Sequence, residues 1–230
     1  MTKIFCDIAD INLIKKFNKK KIVKGFTTNP SLIRKSGAKD YTKYCKSILK
    51  LTKKPISFEV FADDNKNIIK QALKIKDWGK QVYVKVPVTN SKGIFLGKVI
   101  NRLNKENIKL NITAVYTANQ TSKILKKINK NTKVIISIFA GRMADKGKDP
   151  IPEFKKSIIL AKKYKNVEIL WASVREPYNY VQAKQIKCHI ITIPPQIIEK
   201  IENFGKSFKD LTTDTVKAFL VDSRKSKFKI

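Results

Sequence analysis

The chain alternates short apolar, β-branched runs with longer amphipathic, lysine-rich segments along its 230 residues. Apolar runs of this length are typical of buried strands, and apolar residues spaced three and four apart, as in Ile68, Ile69, Ala72 and Leu73, are typical of helices. Eight such runs are present, each followed by a helical segment, and they cover residues 4–8, 23–28, 56–61, 82–88, 109–115, 134–139, 168–174 and 189–193.

Eight strand–helix units predict an α/β fold, a single (β/α)8 TIM barrel. A doubly wound open sheet is the alternative, but no glycine-rich GxGxxG turn follows the first strand. No linker or repeat divides the chain, so residues 1–230 are expected to form one barrel domain. Within it, residues 207–230 are expected to form an extra C-terminal helix, from Asp210 to Leu220, and a basic tail. The apolar stripe of this helix fits packing against its own barrel or against a neighbour's.

The formal net charge of +32 suggests a nucleic-acid-binding protein as one hypothesis. Arginine, which is preferred for bidentate contacts with phosphates and bases, accounts for only 5 of the 50 basic residues. The lysines are spread along the whole chain instead of being concentrated in one segment. We therefore expect a solvated basic surface, and a basic nucleic-acid-binding barrel without catalysis remains an alternative.

Other classes are disfavoured by composition. No run of about 18 apolar residues predicts a membrane span, and residues 1–7 lack the pattern of a signal peptide. The three cysteines are widely spaced and form no CxxC motif, so we interpret Cys6, Cys45 and Cys188 as reduced thiols of a cytoplasmic protein. With His189 as the single histidine, no metal site is expected.

Polar residues in or just after the predicted strands are informative, because barrel interiors are filled mainly by Val, Ile and Leu. Individually they have simple explanations: Asp7 could cap the next helix, Ser31 could cap the helix after Pro30, and Glu59 could pair structurally with Lys85. Together they are expected to meet at the mouth formed by the C-terminal strand ends. They are Asp7, Thr27, Thr28, Asn29, Glu59, Lys85, Asn111, Thr113, Ser137, Arg142, Ser173 and Arg175.

Lys85 is the strongest single signal, since it lies inside the apolar run from Val82 to Val88. A charged ammonium is costly in a dry strand. Burial and nearby cations favour the neutral amine, which is the form that attacks a carbonyl group. Lys85 is therefore the candidate nucleophile.

The chain resembles the transaldolase family, of the short type related to fructose 6-phosphate aldolases, over nearly its whole length. The matching segments occur in the order of the family: the Asp7 strand, Gly25-Phe26-Thr27-Thr28-Asn29-Pro30-Ser31-Leu32, Ser57-Phe58-Glu59-Val60, Val84-Lys85-Val86-Pro87, Asn111-Ile112-Thr113, Ser137-Ile138-Phe139-Ala140-Gly141-Arg142, Ala172-Ser173-Val174-Arg175 and Thr192-Ile193-Pro194-Pro195.

The resemblance implies a transferase that forms a Schiff base between Lys85 and a ketose phosphate such as sedoheptulose 7-phosphate or fructose 6-phosphate. Asp7 would deprotonate the C4 hydroxyl, and Glu59 with Thr113 would hold the water used in imine formation and release. A three-carbon dihydroxyacetone unit would then pass to an aldose phosphate. This chemistry belongs to carbohydrate metabolism, in the pentose phosphate pathway, and requires no cofactor. The enzyme is expected to be a homo-oligomer.

The resemblance also implies a set of residues that bind the sugar phosphate. Asn29 and Asn111 would contact the hydroxyl groups, and Arg142 and Arg175 with Ser173 would bind the phosphate. The remaining substrate-binding positions are Thr27, Ser137 and Phe139.

Fructose 6-phosphate aldolases, which release the three-carbon unit, are the alternative within the family. They carry Gln at the position of Glu59 and Tyr at that of Phe139, and they lack the asparagine found here as Asn111. These three positions favour transfer. Other positions depart from the family pattern and leave an unusual sugar substrate open: Ile8, Trp171 near the expected phosphate site, Val174, and the turn Ile186-Lys187-Cys188.

Overall fold

A computed structural model describes residues 1–227 of the chain. The strands are β1 (Lys3–Asp7), β2 (Val23–Thr27), β3 (Ile56–Glu59), β4 (Val82–Pro87), β5 (Leu110–Val115), β6 (Val134–Phe139), β7 (Val167–Ala172) and β8 (Ile190–Ile193). Each strand pairs in parallel with the next, and β8 pairs with β1, so the sheet closes into a barrel. The predicted (β/α)8 barrel is confirmed, and the open-sheet alternative is wrong.

Helices follow every strand and form the outer layer. None of those in residues 1–227 combines the length and apolar character needed to cross a membrane. They are α1 (Ile11–Asn18), α2 (Pro30–Lys35), α3 (Tyr41–Leu49), α4 (Asn65–Lys76), α5 (Gly97–Lys105), α6 (Ala118–Leu125), α7 (Ala140–Ala144), α8 (Ile151–Ala161), α9 (Tyr178–Gln185), α10 (Pro195–Glu202) and α11 (Phe208–Ser226).

The apolar residues form two separate cores because successive side chains of a strand point to opposite sides. The larger core lies between the barrel and its helices. The smaller core fills the barrel interior and consists of Phe5, Tyr83, Ile135, Leu170, Ala172 and Ile190, with Phe139 packed against it. The interior above this small core is left to polar side chains.

Two helix starts differ from the sequence expectation. Asn29, not Ser31, caps α2, with its Oδ1 accepting a hydrogen bond from the Leu32 amide at 2.9 Å. Pro30 explains this, since its fixed φ and missing N–H suit the first helical position and leave the preceding residue as the cap. Asp10 caps α1, so Asp7 is free to point into the barrel.

The C-terminal helix α11 is longer than predicted and has no buried residue. It continues through Ser226 because the segment after Leu220 contains no glycine or proline to end it. The predicted basic tail therefore begins within this helix, and residues 228–230 lie outside the described part of the chain. Phe208 and Phe219 are 89% and 68% exposed, so the apolar stripe does not pack on its own barrel.

Candidate active site

A cavity opens at the C-terminal ends of the strands, where (β/α)8 barrels place their active sites. Every residue predicted at the mouth lines it except Thr28 and Glu59. Glu59 lies directly beside Lys85, and the buried Thr28 contributes its carbonyl oxygen to the Lys85 amine. The lining residues are Asp7, Thr27, Asn29, Lys85, Asn111, Thr113, Ser137, Phe139, Arg142, Leu170, Ala172, Ser173, Arg175 and Thr192.

The Lys85 side chain is almost completely buried, at 8% exposure for the whole residue. Its Nζ donates a hydrogen bond to the Thr28 carbonyl at 3.1 Å and lies 3.0 Å from Glu59 Oε2. Glu59 and Lys85 are register partners on the paired strands β3 and β4, which brings the two groups together. The structural pairing considered for Glu59 is therefore present, and it places a carboxylate beside the amine at the cavity floor.

Asp7 lies at the end of β1 and faces the same cavity. Burial raises the pKa of its carboxyl group, and this effect outweighs the attraction of Lys85 and the hydrogen bond from Thr27, which lower it. Thr27 Oγ1 donates to Asp7 Oδ1 at 2.7 Å and also hydrogen-bonds the Thr192 hydroxyl. Asp7 is thus a positioned carboxyl group whose pKa is moved toward the range useful for a general base.

Asn111, on β5, is held in place by two hydroxyl groups, one from β6 and one from β3. Ser137 Oγ donates to Asn111 Oδ1 at 2.6 Å, and Asn111 Nδ2 donates to Ser57 Oγ at 3.0 Å. Thr113, two residues further on and on the same side of β5, has a buried hydroxyl with no hydrogen-bond partner among the described residues. Because buried polar groups are nearly always satisfied, this hydroxyl is available to form a hydrogen bond with a molecule in the cavity.

Two arginines lie at the rim of the cavity, each held by a different kind of neighbour. The Arg142 guanidinium lies over the Phe139 ring, with Cζ 5.0 Å from the ring centroid. Arg175 forms a two-point ion pair with Asp145, at 2.6 Å from Nη2 to Oδ2 and 3.1 Å from Nε to Oδ1. Ser173, two residues before Arg175, has a φ of 65°, which turns the backbone sharply just after β7 ends.

The site combines a buried amine, a carboxyl with a raised pKa and two guanidinium groups, which suits carbonyl chemistry on an anionic substrate. A family model described as Transaldolase/Fructose-6-phosphate aldolase matches residues 4–230. The chain belongs to this family. The resemblance stated from the sequence motifs is confirmed.

Relatives of nearly the same length support the assignment to the transaldolase/fructose-6-phosphate aldolase family. Proteins named "Probable transaldolase" include one from Thermoanaerobacter sp. (strain X514), 32% identical over 99% of this chain and all of the relative. One from Methanococcus vannielii is 34% identical over 96% of both chains. One from Nitrosopumilus maritimus is 34% identical over 92% of this chain and 97% of the relative.

Solved structures show the fold at much lower identity. Structures of a mandelate oxidase mutant superpose with a TM-score of 0.56 at 8% identity, covering 84% of this chain. They are longer, and this chain spans 65% and 64% of them. Such a distant likeness supports the barrel architecture alone.

The family departures noted in the sequence lie away from the cavity. Trp171 is 1% exposed and stacks on Phe154, with ring centroids 4.5 Å apart. Trp171 does not line the cavity, because strand alternation turns it outward while Leu170 and Ala172 face the cavity. The phosphate site expected near it stays a prediction. Ile8 and Val174 also belong to the outer core. These family departures therefore do not reshape the cavity wall.

Two polar residues were missed as site candidates. Thr192 lines the cavity and bonds Thr27, and it could have been found as the one polar residue between Ile191 and Ile193. Asp145 contacts Arg175, which is 30 positions away in the sequence. No local sequence pattern indicates a pairing over that separation.

Proposed function

We propose that this protein is a transaldolase, which moves a three-carbon dihydroxyacetone unit from a ketose phosphate to an aldose phosphate through a Schiff base on Lys85. The observation that carries the proposal is the buried Lys85 amine, placed next to Glu59 and in one cavity with Asp7. An amine at the floor of a cavity that a substrate can enter is available for covalent chemistry. The family membership and the names of the relatives support the same reaction class.

In the proposed cycle, the neutral Lys85 amine attacks the ketone carbon, and loss of water gives an iminium ion. Asp7 takes the proton of the C4 hydroxyl, the C3–C4 bond breaks, and its electron pair moves into the iminium to form an enamine. The aldose phosphate leaves with a new carbonyl group. The enamine then attacks a second aldose phosphate, Asp7 returns the proton, and hydrolysis of the iminium frees Lys85.

Glu59 and Thr113 are proposed to hold the water that leaves during imine formation and returns during hydrolysis. Glu59 Oε2 is within 3.0 Å of the amine, and the buried Thr113 hydroxyl faces the same space. Asn29 and Asn111 are proposed to bind the sugar hydroxyls, with Thr27 and Ser137 holding Asp7 and Asn111 in position.

Arg142, Arg175 and Ser173 are proposed to bind the phosphate group at the rim. Guanidinium groups match phosphate oxygens with paired, charge-assisted hydrogen bonds. Both arginines line the cavity on the β6–β7 side, so a sugar chain could reach from them to Lys85 within one open space.

Transfer is favoured over simple cleavage by three residues that resemble the transaldolase pattern and not that of the aldolases: Glu59, Asn111 and Phe139. Release of free dihydroxyacetone, as in fructose 6-phosphate aldolases, remains the second candidate because both reactions share the Lys85 intermediate. A transaldolase-type reaction on an unusual sugar is the third.

Reductive trapping tests the proposal. Borohydride added with fructose 6-phosphate should reduce the imine and attach the substrate carbons to Lys85, as located by peptide mass spectrometry. Lys85→Met should give neither adduct nor turnover, and Lys155→Gln, on the exposed face of α8, is the matched lysine control. Full turnover by Lys85→Met would refute the mechanism. Product analysis with and without erythrose 4-phosphate separates transfer from cleavage.

The chain is also proposed to form a homo-oligomer in which α11 packs on a second copy. A helix of 19 residues with no burial and an exposed stripe of Phe208, Leu211, Phe219 and Leu220 is unusual for a free surface. A second copy would remove this apolar stripe from water.

A further inference from the structure

Asp145 lies just outside the cavity and contacts one edge of Arg175. It follows α7 as its C-terminal cap, three residues after Arg142, and it is not among the residues that line the cavity. Its two oxygens accept hydrogen bonds from Nε and Nη2 of Arg175. Asp145 therefore contacts the Arg175 guanidinium without lining the cavity itself.

The geometry leaves the other edge of the guanidinium free. An arginine presents five N–H donors in a rigid plane, with one pair along the Nε–Nη2 edge and another along the Nη1–Nη2 edge. Asp145 occupies the Nε–Nη2 edge. Nη1 makes no hydrogen bond within residues 1–227, so this second edge keeps unused N–H donors, and Arg175 lines the cavity.

The backbone around this pair is tightly packed. A Cβ atom added to Gly141 would lie 1.8 Å from the Ser173 carbonyl oxygen and 3.0 Å from Cγ of Arg175. The start of α7 thus lies directly against the turn that carries Ser173 and Arg175. Asp145, which directly follows this short helix, lies within hydrogen-bonding distance of the Arg175 side chain.

We propose that Asp145 is a positioning residue that holds Arg175 with its free edge toward the cavity, and so sets the preference for phosphorylated substrates. This inference rests on the proposed phosphate-binding role of Arg175. An arginine side chain has several rotatable bonds, and fixing one edge removes most of the freedom that phosphate binding would otherwise have to restrict. Hydrogen bonds from Arg175 lower the pKa of Asp145, so the carboxylate stays ionised near neutral pH.

The opposite role is physically possible in the same geometry. Asp145 neutralises part of the Arg175 charge, and a carboxylate that competes with phosphate would weaken binding. The position of Asp145 outside the cavity favours the supporting role, because it does not occupy the space that a phosphate would fill. The two roles predict effects of opposite sign.

The test is the ratio of kcat/KM for fructose 6-phosphate to that for unphosphorylated fructose, measured together with the inhibition constant of inorganic phosphate. Asp145→Asn should lower the ratio about tenfold and weaken phosphate inhibition by a similar factor, the scale of one lost charge-assisted contact. Asp149→Asn removes a carboxylate from the same loop but none that contacts an arginine, and it is the control for net charge.

A double-mutant cycle separates the possible failures. Asp145→Asn should have no further effect in an Arg175→Ala background, since it acts through Arg175. A higher or unchanged ratio in Asp145→Asn would overturn the positioning role while leaving the clamp intact. If Arg175→Ala itself leaves the ratio and the phosphate inhibition unchanged, the proposed phosphate site fails, and the role of Asp145 fails with it.

Discussion

Glu59 and Lys85 are directly paired across β3 and β4, and this register places a carboxylate oxygen 3.0 Å from the amine inside the barrel. An ion pair buried in this way holds its partners in one geometry, and it also places a proton-exchanging carboxyl group next to the nitrogen that we propose forms the imine. An amide can form hydrogen bonds but cannot exchange a proton. Replacing Glu59 by glutamine therefore keeps the shape of the side chain and removes its acid–base function.

Glu59→Gln is expected to keep the Lys85 adduct but change the fate of the enamine. We expect kcat for transfer to fall by at least about 100-fold, the lower range for loss of general acid–base catalysis. The ratio of free dihydroxyacetone to transferred product should rise, since Gln is the residue that aldolases of the family carry here. Product analysis in the presence of erythrose 4-phosphate measures both. An unchanged product ratio would argue against Glu59 as the determinant of transfer.

Arg175→Ala should weaken the use of phosphorylated donors by about 10- to 100-fold in kcat/KM, the scale of a lost charge-assisted contact. Borohydride trapping with unphosphorylated dihydroxyacetone should still label Lys85. Lys155→Gln, which removes one positive charge from the exposed face of α8 and outside the cavity lining, is the matched control for the high net charge. Equal losses in both variants would indicate general electrostatic attraction instead of a specific site.

Asp7→Asn is expected to stabilise the fold while reducing turnover. Burial raises the folded-state pKa of Asp7, so the ionised form is disfavoured in the native protein. The wild type loses stability as pH rises from the unfolded pKa of about 3.9 through the raised folded pKa. Asparagine carries no such cost, and its Oδ1 can still accept from Thr27.

The Tm of Asp7→Asn should therefore exceed that of the wild type by more at about pH 8 than near the unfolded pKa of about 3.9. Calorimetry at equal scan rates measures this difference. A gain that shrinks toward higher pH would contradict the sign of the Asp7 shift. The wild-type kcat should rise with pH as Asp7 ionises, and this limb of the profile should be lost in Asp7→Asn.

Trp171→Ala should destabilise the protein without changing substrate preference. The side chain is fully buried and stacks on Phe154, so its removal leaves a large cavity and costs about 3–5 kcal/mol. Trp171→Phe keeps a ring on Phe154 and removes the indole N–H, which has no hydrogen-bond partner among the described residues. Trp171→Phe should lower the free energy of unfolding, measured by chemical denaturation, much less than Trp171→Ala does. A changed KM for the acceptor in Trp171→Phe would contradict the outward orientation.

Phe219→Glu is expected to shift the proposed homo-oligomer toward smaller species. A charge on the apolar stripe of α11 cannot be buried against a second copy without a large desolvation cost. Lys217→Gln changes the net charge equally on the opposite face of the helix and should leave assembly intact. Light scattering after size-exclusion chromatography, at matched concentrations, compares the two. A monomeric wild type would refute the assembly.

The alternation of eight apolar runs with amphipathic segments was sufficient to predict the closed barrel, because strand and helix periodicities depend on local residue order. Polar residues in otherwise apolar strands, such as Lys85 and Asn111, also identified the residues that line the mouth, since parallel strands bring their C-terminal ends to one side. Helix capping depends on local sequence too, but the cap of α2 is Asn29 instead of the expected Ser31, because Pro30 takes the first helical position.

The tertiary structure alone decided relations between distant residues. A parallel strand that is buried on both faces is apolar on both, so its sequence does not show which side chains point into the barrel. The outward direction of Trp171 on β7 is therefore visible only in the closed barrel. The contact between Asp145 and Arg175 depends on α7 packing against the end of β7. The exposed stripe of α11 likewise follows from where the completed barrel leaves that helix. Local residue order determines the strands, the helices and the residues of the mouth, whereas closure of the chain in three dimensions determines how those residues pair.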